Sequence, residues 1–89
     1  MPWRILVYES GGQYYALPCV SLNLYEMVKE DILNKQARFK DMKLILSKSD
    51  LPDEKYDDIG EKVFKLLKEK NDGKPIDLEG ELECVFREV

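Results

Sequence analysis

Cys19 is the residue whose type and position could most directly do chemistry. Leu17-Pro18-Cys19 falls where a strand gives way to a helix, and a thiol near a helix N-terminus can have its pKa lowered and become a nucleophile or redox sensor. No base is recognisable beside it, and the plainer role is a small packed hydrophobe, as for Cys84. The two cysteines are far apart, with no CxxC spacing and no partner histidine. Indeed the chain contains no histidine at all. That removes the Ser-His and Cys-His dyads, every other imidazole base and every histidine metal ligand.

Two groups of carboxylates could attract a hard cation: Asp53, Glu54, Asp57 and Asp58, and the row from Asp77 to Glu83. Carboxylates alternating along a strand stand about 7 Å apart, too far for neighbours to chelate one ion unaided. The first cluster lacks EF-hand spacing, so both groups read as solvated surface, and no metal or cofactor is expected. Lys35, Arg38, Lys40 and Lys43, followed by Lys48, form a basic stretch that could bind an anion, a phosphate ligand or nucleic acid, with Phe39 stacking on a base. The competing reading puts Phe39 on an apolar helix stripe and leaves the lysines to answer the acidic half of the same or a neighbouring molecule.

These side chains must be held by a small set of elements. Trp3-Arg4-Ile5-Leu6-Val7-Tyr8 is a nearly continuous apolar run suited to an inner strand covered on both faces. Gly11-Gly12 supplies the two positive-φ residues of a primed turn, and Gln13-Tyr14-Tyr15-Ala16-Leu17 returns as a second strand that Pro18 ends. Asn23 with Glu26 has capping-box spacing, opening an amphipathic helix of about four turns through Tyr25, Val28 and Ile32 to near Arg38. Met42 to Ser47 reads as a third strand, parallel to its predecessor because a helix connects them. A second helix carries Tyr56, Ile59, Val63, Leu66 and Leu67 on one stripe. Gly60 within it costs about 1 kcal/mol relative to alanine, so either the helix starts after it or close packing demands a missing side chain.

From Ile76 the pattern alternates: Ile76, Leu78, Gly80, Leu82, Cys84 and Phe86 interleave with Asp77, Glu79, Glu81, Glu83, Val85 and Arg87. This predicts a long last strand with one wet face, bent at Gly80. The expected fold is therefore a single α+β domain over residues 1–89. It is a two-layer sandwich in the order ββαβαβ, a mixed four-stranded sheet with both helices packed on one face.

Composition narrows the classes. Eighty-nine residues leave room for one small core, and 44% hydrophobic beside 36% charged residues suits a folded protein. No run of about eighteen uncharged apolar residues and no signal-peptide pattern is present, so neither a membrane span nor secretion is expected, and the compartment inferred is the cytoplasm. Three asparagines and two glutamines among many Lys and Glu would suit a thermophile. A net charge of −4 disfavours non-specific binding to nucleic acid or anionic membranes. That average hides an asymmetry, because residues 1–48 carry +2 and residues 49–89 carry −6.

The run Gly11-Gly12-Gln13-Tyr14-Tyr15-Ala16-Leu17-Pro18-Cys19, followed by a helix, resembles the hairpin opening of HicB-type antitoxins. The resemblance implies a small oligomerising protein that masks a toxin. It covers roughly the first third of the chain, lacks the fuller proline-leucine-proline-glycine pattern and does not extend to the later half.

The aromatic residues Trp3, Tyr8, Tyr14 and Tyr15 concentrate in the hairpin. Such side chains suit interfaces because they join apolar area to a polar tip. Two helices on one face would leave the other bare, so these four are the candidate interface of a homodimer. The expected function is a small interaction or accessory protein without catalysis of its own. The alternatives are a thiol enzyme or redox sensor using Cys19, and an anion-binding module using residues 35–48.

Overall fold

The computed structural model describes residues 1–88. Strand β1 (Trp3–Ser10) turns into β2 (Gln13–Cys19) through Gly11 and Gly12, with φ of +60° and +82°. Both turn residues are left-handed, as a two-residue primed hairpin requires, and Ser10 consequently faces Gln13. β2 runs on through Pro18 to Cys19, two residues past its expected end. An edge strand tolerates this, because a proline nitrogen turned away from its neighbour breaks no ladder bond.

The third strand, β3 (Met42–Leu51), lies on the other side of β1 and gives the order β2-β1-β3, antiparallel throughout. The mixed sheet with a parallel pair is thereby corrected. β2 and β3 do share a direction, as their helical connection implies, but β1 occupies the place between them.

Alternate residues of β1 enter different cores. Trp3, Ile5 and Val7 pack with Ile59, Val63, Leu67, Leu78, Leu82 and Phe86 on one face. Leu6 packs with Cys19 and Tyr25 on the other. The helices therefore flank both sides of the sheet: α1 (Leu22–Leu33) covers one face, and α2 (Tyr56–Asn71) with α3 (Leu78–Arg87) covers the other. The two-layer expectation with both helices on one face gives way to three layers. The both-sided apolar character of β1 is what requires covers on both faces.

The cap of α1 stands two residues earlier than expected. Ser21, not Asn23, is the N-cap, its hydroxyl accepting from the Leu24 N–H at 3.2 Å. The helix also stops at Leu33 after three turns, and Phe39 falls in a separate short 3-10 turn, Ala37–Phe39.

The expected fourth strand is α3. Leu78, Leu82 and Phe86 are spaced by four, so they satisfy a two-residue and a helical period equally, and in the helix all three reach the core. Local chemistry decides between the periods. Asp77 is an N-cap accepting from the Gly80 N–H at 3.3 Å, Glu79 and Glu81 occupy the positive first turn, and the leucine- and glutamate-rich run favours a helix. The α+β class therefore stands, with three strands and three α-helices among the described residues.

Candidate functional site

Cys19 is only 2% exposed, and its thiol points toward the Leu17 carbonyl at 3.7 Å. Burial pushes its pKa up from the ordinary thiol range, and the nearby Arg4 guanidinium opposes this only in part. The environment favours the neutral thiol, the reverse of what activates a nucleophile. Cys84 is exposed on α3, and both cysteines are free.

Three of the basic residues, Lys35, Arg38 and Lys43, have neighbours close by in the fold. The Lys35 ammonium donates to the Met42 carbonyl at 2.9 Å, closing the connection from α1 to β3. The Arg38 guanidinium lies 5.6 Å from the Phe39 ring centre, and Lys43 stands opposite Glu9 across the strands. Lys40 is exposed just beyond the 3-10 turn. Among the carboxylates, Asp58 meets Lys62 at 3.4 Å, and Lys62 also reaches Glu88 at 3.5 Å. No group of three or more cysteine, aspartate and glutamate side chains among the described residues could hold a metal ion.

The four hairpin aromatics divide. Trp3 is 1% exposed, its indole N–H donates to the Pro52 carbonyl at 2.9 Å, and its ring meets Tyr56 edge-on at 4.8 Å. It serves the core. Tyr8 and Tyr15, paired across β1 and β2, stack at 5.5 Å on the sheet face that α1 covers. Burial, and then the neighbouring Tyr15 phenol, raises the Tyr8 hydroxyl pKa. Tyr14 is half-buried on the α2 side, and Tyr15 remains 45% exposed.

An apolar concavity lies between β2 and α2. It is a groove of about 600 Å³ whose floor includes Trp3, Ile5 and Ala16 and whose α2 wall includes Tyr56, Gly60 and Phe64. Phe64 is 68% exposed beside the stripe Ile59, Val63 and Leu67. α2 runs unbroken through Gly60, and a methyl group placed on that glycine would meet no atom within 4 Å. Neither explanation of Gly60 offered by the sequence therefore holds. Its missing side chain leaves the groove open one turn before Phe64.

Asn71, at the end of α2, closes one end of this groove against the edge of β2. Its Oδ1 accepts from the Tyr14 N–H at 2.7 Å, and its Nδ2 donates to the Tyr14 carbonyl at 3.0 Å. One side-chain amide thus makes the pair of bonds a neighbouring strand would make. Tyr14 must then present its backbone away from β1, and by the two-residue period so do Ala16 and Pro18. Pro18 has no N–H. Between the occupied Tyr14 and the donorless Pro18, only Ala16 offers both backbone groups outward, too little for a strand to add.

Of these features, sequence reasoning named Trp3, Tyr14 and Tyr15 but not Phe64 or Asn71. The available signal for Phe64 was a large aromatic off the helical stripe, one turn after a glycine in mid-helix. None existed for Asn71, because its partner is a backbone group 57 residues away. No helix among the described residues is long and apolar enough to cross a membrane. Compared with known protein families, curated proteins and solved structures, the chain matches none.

Proposed function

We propose that this chain is a small interaction or accessory protein that works as a homodimer, its task being contact rather than reaction. The observation that carries the reading is the exposure of Tyr56 and Phe64 around an apolar groove in a protein otherwise 36% charged. Contiguous apolar surface of this kind on a small domain marks contact sites. The ground for pairing is thus different from the one the sequence suggests. With α1 on one face and α2 and α3 on the other, no sheet face is bare; exposed apolar side chains remain at the groove and along α1, where Leu22, Leu24, Met27 and Leu33 are exposed, and only the groove combines them with a concavity rich in aromatic residues. Absent histidine and a buried neutral thiol at Cys19 support contact over catalysis.

Light scattering coupled to size exclusion tests the reading. A mass twice 10.4 kDa at micromolar concentration is expected. A monomeric mass maintained to millimolar concentration would refute it.

A further inference from the structure

We propose that the two copies pair through the β2–α2 groove, with the α2 helices antiparallel about a two-fold axis and Phe64 of each copy seated over Gly60 of the other. The inference rests on the homodimer reading above and names its surface.

A two-fold contact uses one patch twice, so the patch must fit itself. Here the knob and the hole are four residues apart on one helix. Phe64 projects from the lip, and Gly60 leaves an open notch on the same side. That contact sets the two-fold axis level with Lys62, within two residues of the middle of the sixteen-residue α2, so the antiparallel helices overlap along most of their length.

Charge selects the antiparallel arrangement. Helical spacing places Asp57, Glu61 and Lys68 on the side of α2 that bears Phe64, with Lys65 at its margin, and all four are exposed. The acids precede Phe64 and the lysines follow it. Antiparallel pairing sets the acidic half of each helix against the basic half of the other, whereas parallel pairing would oppose like charges. Lys68 meets Asp72 at 3.6 Å within the chain, but an exposed pair of this kind contributes little and yields readily.

The strand beneath allows the approach. β2, Gln13–Cys19, carries no charged residue, so a second copy of a chain with net charge −4 meets no repulsion there. Strand addition is the competing mode of contact, and Asn71 and Pro18 obstruct it. What remains is a side-chain contact made by an aromatic anchor in a pocket.

Sedimentation over a concentration series distinguishes the outcomes, using wild type, Phe64→Glu, Gly60→Ala, Asp57→Lys, and Asp57→Lys combined with Lys68→Glu, because this register sets Asp57 of one copy beside Lys68 of the other. Phe64→Glu is expected to weaken dimerisation by about 30-fold or more, as for loss of a central anchor. Gly60→Ala is expected to weaken it while raising the urea midpoint of the dilute monomer, because alanine favours the helix and its methyl meets open space. These opposite signs cannot come from general loss of structure. Asp57→Lys should weaken pairing, and adding Lys68→Glu should restore it. Dimers of unchanged affinity in Phe64→Glu and Gly60→Ala would overturn this surface and leave the homodimer standing. A wild type that stays monomeric would overturn both.

Discussion

Asn71→Ala removes the only side chain that pairs with the outer edge of β2 among the described residues. Two hydrogen bonds to one peptide unit are lost, each contributing about 1 kcal/mol net. The site is half-buried, so water can partly replace them, and alanine returns about 0.5 kcal/mol of helix propensity. A net loss of about 1–1.5 kcal/mol follows, which for a domain this small corresponds to a fall of about 4–12 °C in Tm. Asn71→Asp sharpens the test, because it keeps the oxygen that accepts from Tyr14 but turns a second oxygen toward the Tyr14 carbonyl. The carboxylate also sits at the negative end of the α2 dipole. Its folded-state pKa should therefore rise above the unfolded value, so its destabilisation is present above that range and shrinks as pH falls through it. Urea denaturation of the dilute monomer measures both variants. Hydrogen exchange at the Tyr14 amide reports the bond itself and should lose protection in Asn71→Ala while the inner strand keeps it. A midpoint within about 0.3 kcal/mol of wild type, with the Tyr14 amide still protected, would refute the view that Asn71 substitutes for a strand.

Iodoacetamide should label exposed Cys84 quickly and buried Cys19 only through opening of the fold, so mass spectrometry will resolve two phases whose separation collapses in urea. Because the Cys19 pKa is raised on folding, stability should be unaffected below the ordinary thiol range and fall as pH rises through it, where the unfolded thiol ionises first. Cys19→Ala should lack that component of the alkaline slope, and equal slopes in the two proteins would refute it. Asp77→Ala should cost about 1 kcal/mol by removing the α3 cap, read as a lower urea midpoint, and an unchanged midpoint would argue against the capping bond.

The hairpin, the inner position of β1 and the apolar stripe of α2 were legible because each rests on local signals: paired glycines, a both-sided apolar run and recurrence at helical spacing. α3 reads as a strand in the sequence because Leu78, Leu82 and Phe86 fit either period, and the deciding bond from the Gly80 N–H to Asp77 competes with a stronger visible alternation. Sheet order was not legible. The direction of β3 relative to β2 follows from the helix between them, but nothing local says that β1 will stand between the two. The groove needed three elements distant in sequence, Trp3 on β1, Ala16 on β2 and Phe64 on α2, and so had no pattern along the chain.

A three-stranded sheet leaves two edges, and this protein treats them differently. β3 carries Lys43, Lys48 and Asp50 and has two irregularities of register against β1, the usual means of deterring another strand. β2 has no charge and a regular register with β1 from Arg4↔Cys19 to Ser10↔Gln13, which alone would invite edge-to-edge aggregation. Its backbone is instead closed from outside, by the Asn71 amide at Tyr14 and by the missing N–H of Pro18. That device blocks hydrogen-bonded addition while leaving the side chains apolar and accessible. A charged edge would have repelled strands and partners alike; an uncharged edge with its backbone occupied rejects strands and still admits an aromatic side chain to the groove beside it.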